Sequence, residues 1–342
     1  MTSISIISTQ LQLINCVEYI KEHNVANNVL IVDAINSSRL TQIMQLLNSK
    51  LYSNIFEKIY YRSISNYKLF YLDIIYLKLL ILYLSIFFKF DYAIIGNYKA
   101  LQHKYLFLCS LKFKKDVKYI VVDDGTLSFF YKELRDYELN NIRKASNSIS
   151  RSLKFVFFES FIARFMHRIE FFSLYSLSVS ELDCLSHNSL TYLKQNIGKL
   201  ELAVDFSQYK TLIIGQPFVQ MKYFDVCALK RIIDFISKKV KIEEVLYVCH
   251  PAEDEAIIES LGLRAVKLPI PFECLVKLFP LDTNIYGVTS TALINAKVEE
   301  PSLNVIAIDI SLLLAGDATK KETFSKIYNM FAEYKIQIDK LV

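Results

Sequence analysis

Two short motifs that follow apolar runs carry the side chains with the clearest chemistry. Asp123-Asp124-Gly125 follows the run 119–122, and His250-Pro251 follows the run 245–249. In open α/β sheets, ligands bind at the carboxyl ends of the strands. A carboxylate pair and a histidine at such ends therefore predict a proton acceptor and a proton donor that face one cleft.

Each motif also has a purely structural interpretation. In the structural interpretation Asp123-Asp124-Gly125 is only a turn, because Asp-Gly is a common turn dipeptide. In the functional interpretation one of the two carboxylates takes a proton from a hydroxyl nucleophile, and the other orients a sugar hydroxyl. Pro251 ends its strand and holds His250 at the rim. Imidazole titrates near neutrality, so His250 is either a structural histidine or a donor to a departing phosphate.

Three further segments complete the set of candidate residues. Gly215-Gln216-Pro217 follows a strand-like run and either forms a plain turn or places backbone groups against a base or ribose. Thr289-Ser290-Thr291 precedes a predicted helix, where hydroxyl groups either cap the helix or help its N–H groups to bind a phosphate. Asp225 begins another predicted helix and is either its N-cap or a second candidate general base.

Composition excludes several classes of protein. The chain has 342 residues, 53% of them hydrophobic and 22% charged, which is typical of globular proteins with one large or two ordinary domains. A net charge of +5 is too small to indicate nucleic-acid binding. We expect no cleaved signal peptide, because Met1-Thr2-Ser3 leads directly into an apolar strand.

Motifs that are absent from the sequence narrow the function further. Without GxxxxGK[ST] a P-loop kinase or ATPase is disfavoured, and without GxGxxG after the first strand NAD-dependent chemistry is disfavoured. The six cysteines show no CxxC and no regular spacing, so we expect reduced buried thiols and neither a disulfide framework nor a zinc site.

Hydrophobic periodicity predicts alternating strands and helices in both halves of the chain. Strands are expected near residues 4–8, 29–32, 56–60, 92–95 and 119–122, and again near 212–214, 245–248, 265–268, 285–288 and 304–308. Between residues 127 and 200 helices are expected to dominate, at 129–142 and 149–168, with one strand near 169–174. In the second half, helices are predicted from Asp225 to Lys239 and from Glu253 to Leu261.

This alternation predicts an α/β protein with two Rossmann-like domains facing a central cleft. The expected N-terminal domain, residues 1–200, carries a helical insertion, and the second domain spans residues 201–342.

The segment from Tyr67 to Phe90 is the most apolar part of the chain. Asp73 and Lys78 interrupt it, so it predicts a buried or interfacial helix and not a membrane span. It would suit either an interdomain core or docking onto a bilayer surface. The basic run from Lys104 to Lys118, with Lys112, Lys114 and Lys115, either attracts anionic lipid or is an ordinary solvated surface.

Taken together, these motifs resemble bacterial sialyltransferases of glycosyltransferase family 52, the lipooligosaccharide and capsule group. The resemblance runs over most of the chain and rests on Ser8 to Asn15, Asp-Asp-Gly, Gly-Gln-Pro, His-Pro and the Thr-Ser-Thr cluster. Asp-Asp-Gly and His-Pro are also similar to motifs of polysialyltransferases and of another bacterial sialyltransferase family, so the subfamily stays open.

The resemblance implies a GT-B fold whose C-terminal domain holds a CMP-sugar donor and whose N-terminal domain binds the acceptor. It also implies inverting transfer without a bound metal or cofactor. His250 would be the general acid, and Ser290 and Thr291 would hold the donor phosphate. The base would be Asp123, Asp124 or Asp225.

The expected function is transfer of sialic acid from CMP-sialic acid to a terminal galactose, or a similar sugar, on a bacterial surface glycan or lipid-linked oligosaccharide. The donor could instead be another CMP-nonulosonic acid, or the acceptor could be sialic acid itself. An alternative of another class is a non-catalytic nucleotide-binding protein that docks on the membrane. We expect a cytoplasmic protein that associates peripherally with the inner membrane, and a homodimer is left open.

Overall fold

The chain forms two parallel-sheet α/β units. The computed structural model describes residues 1–34, 37–63, 70–110, 117–146, 167–199, 202, 204–314 and 317–341. It divides into two compact units, Met1–Leu200 and Glu201–Val342. In each unit helices connect the strands of a parallel sheet, which confirms the predicted α/β class with two parallel-sheet domains.

The described part of the first unit contains a seven-stranded parallel sheet. Its strands are β1 Thr2–Ile7, β2 Asn27–Ala34, β3 Lys58–Ser63, β4 Tyr92–Ile95, β5 Lys118–Val122, β6 Ile169–Ser173 and β7 Cys184–His187. Their order in the sheet is β3-β2-β1-β4-β5-β6-β7. The central strands are rich in Ile and Val and have both faces buried, as a parallel sheet covered on two sides requires.

Helices cover both faces of this sheet. They are α1 Gln10–Glu22, α2 Ser37–Leu47, α3 Phe70–Phe87, α4 Leu101–Ser110, α5 Tyr131–Ser146 and α6 Thr191–Asn196. Helix α1 packs against α2 and α6, and α3 packs against α4. Leu77 and Ile81 of α3 join Ile4 and Ile6 of β1 in the hydrophobic core.

The region between residues 127 and 200 differs in part from the prediction. A 3₁₀ helix, Gly125–Phe130, precedes α5, so the helix starts later than expected. The predicted helix at 149–168 lies outside the described residues except for its last two. Strand β7 was not predicted, because this half-exposed edge strand lacks a continuous apolar run.

The second unit has a six-stranded parallel sheet in its described part. Its strands are β8 Thr211–Ile214, β9 Val245–Cys249, β10 Arg264–Lys267, β11 Asn284–Gly287, β12 Asn304–Asp309 and β13 Gln337–Lys340. They lie in the order β10-β9-β8-β11-β12-β13. The connecting helices are α7 Val226–Ser237, α8 Glu255–Ser260, α9 Ala292–Glu299 and α10 Ala318–Glu333, with a 3₁₀ helix at Phe272–Leu278.

The start of α8 corrects one prediction. The helix begins at Glu255 and not at Glu253, because the Asp254 carboxylate accepts the backbone N–H of Ala256 at 3.1 Å and caps it. Glu253 therefore lies in the turn before the helix, where its side chain is free to point into the unit.

The cysteines with described side chains are not joined in disulfides. Cys16, Cys249 and Cys274 are buried, as predicted, whereas Cys184 is half-buried and Cys227 is exposed.

Candidate functional site

The carboxyl ends of β1, β4, β5 and β6 meet at one edge of the first sheet, because these strands are neighbours and parallel. The residues that follow them include Ser8, Gly96 and the Asp123-Asp124 pair. The structure gives the two aspartates different surroundings.

Asp123 is only 2% exposed and binds groups of its own unit. Its carboxylate accepts the Ser173 hydroxyl at 2.7 Å and the Leu174 backbone N–H at 2.6 Å, which ties the end of β5 to the end of β6. Burial raises its pKa to about 6, although these hydrogen bonds favour the ionised form. These contacts indicate that Asp123 supports the sheet edge.

Asp124 is half-buried, and Gln12 orients its carboxylate. The Gln12 Nε2 donates to Asp124 Oδ1 at 2.5 Å, while Gln12 Oε1 accepts the Ser8 backbone N–H at 2.6 Å. Burial raises the pKa of Asp124 to about 6, against the opposing effects of Gln12 and the Arg39 charge. A carboxylate that titrates near the working pH is suited to general-base catalysis.

Gly96 at the end of β4 makes room for Gln12. A Cβ atom at this position would lie 2.3 Å from Gln12 Oε1 and 2.5 Å from its Cδ. Any larger residue would displace the amide that holds Asp124. The sequence alone does not connect this glycine with Gln12, because the two residues lie 84 positions apart.

A buried polar cluster that the sequence analysis missed lies beside this edge. The His103 Nδ1 accepts the Asn97 backbone N–H at 3.2 Å, so the proton resides on Nε2, which donates to Ser8 Oγ at 2.9 Å. Asp33 lies 3.8 Å from the same Nε2 and 3.3 Å from Arg62. Burial and the Arg62 charge lower the pKa of His103 to about 3, so this imidazole is neutral.

The cluster of Ser8, His103 and Asp33 is not a Ser-His-Asp triad. In a triad the hydroxyl and the carboxylate contact opposite nitrogens of the imidazole. Here both approach Nε2, and a backbone amide occupies Nδ1. All three side chains are buried, which indicates a structural role at the sheet edge.

In the second unit, the neighbouring strands β9, β8 and β11 bring three predicted segments to one sheet edge: His250-Pro251, Gly215-Gln216-Pro217 and Thr289-Ser290-Thr291. Gln216 and Thr289 contact each other directly. The Thr289 backbone N–H donates to Gln216 Oε1 at 2.8 Å, and Gln216 Nε2 donates to Thr289 Oγ1 at 3.1 Å. The Gly215-Gln216-Pro217 and Thr289-Ser290-Thr291 segments therefore form one connected surface.

His250 lies exposed at the end of β9, followed by the exposed Pro251. Its Nδ1 accepts the Ala252 backbone N–H at 3.1 Å, which places the proton of the neutral ring on Nε2. The imidazole can thus donate a hydrogen bond from Nε2 to a ligand at this edge.

Glu253 is a further residue that the sequence analysis did not assign. Its carboxylate accepts the His250 backbone N–H at 2.7 Å and the Tyr247 hydroxyl at 2.9 Å. The Gln216 backbone N–H also bonds to it. The helical interpretation of residues 253–261 hid this role, because it assigned Glu253 to an exposed first turn.

The hydroxyl residues before α9 have different partners. Ser290 Oγ accepts the Ala292 backbone N–H at 3.3 Å and so acts as a cap. Thr291 occupies the N-cap position without a capping bond from its side chain. Capping therefore accounts for Ser290, and the Thr291 hydroxyl is available to help the helix N-terminus bind an anion.

Asp225 is the N-cap of α7. Its Oδ1 accepts the Ala228 backbone N–H at 2.8 Å, and the residue is exposed. The capping alternative therefore explains its position at the start of the helix.

In the described part of the chain, no three His, Cys, Asp or Glu side chains cluster closely enough to hold a metal ion.

Comparisons with known proteins show the fold. No family model matches the chain, and no curated protein does. The UDP-GlcNAc 2-epimerase from Neisseria meningitidis bound to UDP-GlcNAc has 13% identity and a TM-score of 0.53, over 99% of this chain and 95% of that one. The UDP-GlcNAc 2-epimerase from Methanocaldococcus jannaschii has 12% identity and a TM-score of 0.52, over 96% and 92%.

An α/β-galactoside α-2,3-sialyltransferase from the marine bacterium Photobacterium phosphoreum has 12% identity and a TM-score of 0.48, over 98% of both chains. At such identities, the likeness to the two epimerases shows the fold and not the activity. The chain has the two parallel-sheet α/β domains of GT-B-type enzymes.

Proposed function

We propose that the protein is an inverting, metal-independent sialyltransferase that moves sialic acid from CMP-sialic acid to a hydroxyl of a terminal galactose, or a similar sugar, on a bacterial surface glycan. The observation that carries the proposal is the exposed His250, with its Nε2 proton, at the same sheet edge as the Gln216–Thr289 pair. The ordered motifs that resemble family 52 support the choice of donor.

In the proposed reaction the acceptor hydroxyl gives its proton to the Asp124 carboxylate. The acceptor oxygen bonds to the anomeric carbon of the donor while the bond from that carbon to the CMP phosphate oxygen breaks. His250 Nε2 donates to the departing phosphate, and Thr291 with the N-terminus of α9 holds its negative charge. The configuration at the anomeric carbon is inverted because a single displacement occurs.

The test is release of CMP from CMP-N-acetylneuraminic acid by purified protein in the presence of a β-galactoside. We expect CMP release that depends on the acceptor, with a sialylated product found by mass spectrometry. UDP-GlcNAc is a necessary second donor, because the solved structures with the best TM-scores quoted above are UDP-GlcNAc 2-epimerases. Turnover of UDP-GlcNAc alone would contradict the proposal.

The same assay separates the proposal from its alternatives. Activity with a sialoside acceptor, or with another CMP-nonulosonic acid, would change the substrate and keep the mechanism. CMP binding without turnover of any of these pairs would favour a non-catalytic nucleotide-binding protein.

We further propose that the protein docks on the inner membrane from the cytoplasm through an exposed face of α3. This face consists of seven large apolar side chains that are 36–66% exposed: Ile75, Tyr76, Leu79, Leu82, Tyr83, Ile86 and Phe87. Contiguous apolar surface of this kind marks an interaction site. No helix among the described residues is long and apolar enough to span a bilayer.

Basic side chains close to this face support an anionic lipid surface as its partner. Lys78 of α3 stacks on the Tyr105 ring at 4.1 Å, and Lys58 lies 4.8 Å from the Phe88 ring. Lys104 does not contribute, because it is buried and paired with Glu138. Lys112, Lys114 and Lys115 of the predicted basic run lie outside the described residues.

Replacing Leu79 and Ile86 by glutamate is expected to lower binding to phosphatidylglycerol vesicles by about tenfold or more, because burying each apolar side chain contributes about 1.5–3 kcal/mol. Vesicle co-sedimentation at low salt measures the effect. Glutamines at the exposed Lys321 and Lys326 of α10, which lower the net charge by the same two units, are the control for charge. Wild-type protein that stays in the supernatant would refute docking, and a concentration-dependent dimer lost in the same variant would assign the face to a second copy.

A further inference from the structure

Glu253 connects the two loops that carry the predicted donor-binding residues. It is 5% exposed, and its Oε2 accepts the His250 backbone N–H at 2.7 Å. The same carboxylate bonds to the Gln216 backbone N–H at the end of β8. One side chain therefore fixes the backbone at the ends of two neighbouring strands.

Gly215 leaves the space that this carboxylate fills. A Cβ atom at position 215 would lie 2.0 Å from Glu253 Oε2 and 2.6 Å from Tyr247 Cε1. The Tyr247 hydroxyl completes the site by donating to Oε1 at 2.9 Å. Three donors that surround one buried carboxylate leave it little freedom to move.

We infer that Glu253 is a positioning residue at the edge of the second sheet. It fixes the position of the His250 imidazole relative to the Gln216–Thr289 pair. It acts through the backbone and does not touch substrate. This inference rests on the proposed function for its effect on transfer, but its effect on His250 is independent of that function.

Glutamine is a close substitute for this glutamate. Burial raises the pKa of Glu253 to about 7, since loss of water outweighs its hydrogen bonds and the nearby Lys267 charge. A neutral carboxyl can donate from one oxygen to the Tyr247 hydroxyl and accept both backbone N–H groups at the other. A glutamine amide offers the same donor and acceptor, so Glu253→Gln should preserve the loops.

Glu253→Ala removes the acceptor from the partly buried His250 backbone N–H and from the Gln216 backbone N–H. Leaving a donor without its partner costs up to about 1–3 kcal/mol when the donor is buried, which corresponds to roughly 5- to 150-fold in an equilibrium constant. We expect CMP affinity and kcat each to fall about tenfold or more in Glu253→Ala, and to stay within about threefold in Glu253→Gln. Glu255→Ala is the matched control, because Glu255 lies nearby and bonds instead to the Lys267 backbone N–H.

Imidazole NMR reports the positioning directly, since the chain has only five histidines and His250→Ala identifies the His250 signals. We expect altered His250 shifts and titration in Glu253→Ala and in Glu253→Asp, whose shorter side chain cannot reach both loops. Glu253→Gln and Glu255→Ala should match the wild type. Glu253→Asp decides the question if the alanine variant does not fold.

Unchanged His250 signals in folded Glu253→Ala or Glu253→Asp would overturn the inference. Altered His250 signals in a protein without any sugar transfer would uphold the positioning role and reject the proposed function. The two failures are therefore distinguishable.

Discussion

Replacing His250 by alanine is expected to lower kcat for sialyl transfer about 10²–10³-fold, the effect of removing one donor that stabilises developing charge. Because Nδ1 accepts the Ala252 backbone N–H, the Nε2 proton is the one that the neutral ring would donate to the departing phosphate. KM for the CMP-sugar should change far less, because the phosphate gains most of its charge as the bond to the sugar breaks. Steady-state kinetics with varied donor measures both constants.

His187→Ala is the control for this substitution, since His187 is also exposed but lies on β7 of the first unit. We expect it to retain wild-type kcat. If His250→Ala is folded and transfers sugar at the wild-type rate, the imidazole does not stabilise the departing phosphate. If turnover is present in the wild type and lost in His250→Ala, a purely non-catalytic role for the protein is excluded.

Asp124→Asn is expected to lower kcat about 10²–10⁴-fold, the usual contribution of a general base, while CMP affinity is unchanged. Because the pKa of Asp124 is raised to about 6, its carboxyl is protonated below that pH and cannot accept a proton. The transfer rate of the wild type should therefore rise as the pH increases through about 6. The residual activity of Asp124→Asn should lack this rise.

Asp123→Asn and Asp225→Asn are compared with Asp124→Asn to decide which aspartate is the general base. The Asp123 carboxylate is engaged with Ser173 and Leu174, so its loss should alter stability more than kcat. Burial raises the pKa of Asp123 to about 6 in the folded protein, so folding disfavours the ionised carboxylate. The contribution of Asp123 to the free energy of unfolding therefore declines as the pH rises through about 6. Asparagine does not titrate, so Asp123→Asn should abolish this pH dependence. Asparagine at position 225 preserves the cap.

If only Asp225→Asn is inactive, the Asp-Asp-Gly triplet is a turn and Asp225 is the base. Circular dichroism and CMP binding by each variant separate loss of fold from loss of catalysis.

The sequence predicts the central strands of both sheets well because these strands are continuous apolar runs, such as those before Asp123 and His250. The edge strands β7 and β13 lack such runs and are not predicted. It does not distinguish Asp123 from Asp124, since the difference depends on Ser173 and Leu174 at the end of a strand far along the chain. The sequence also does not predict the buried cluster around His103, because Ser8, Asp33 and Arg62 lie far from His103 along the chain.

The local sequence pattern also gives the wrong environment for Glu253, and it does not predict which face of α3 is buried. Acidic residues before a helix usually indicate an exposed first turn, so an inward-facing glutamate is identified only by the donors around it. The apolar residues of α3 surround the helix on all sides. Without a polar stripe, periodicity cannot tell the face that packs in the core from the face that stays exposed.

The close approach of Gly96 and Gln12 limits how this protein can evolve. A side chain at position 96 would collide with the amide at position 12, yet that amide is the group that binds Asp124. Alanine at position 96 is therefore expected to displace the Gln12 side chain and to weaken its bond to the carboxylate, unless residue 12 is shortened and another donor replaces it. The two positions, on different elements of the sheet edge, are expected to change together or not at all.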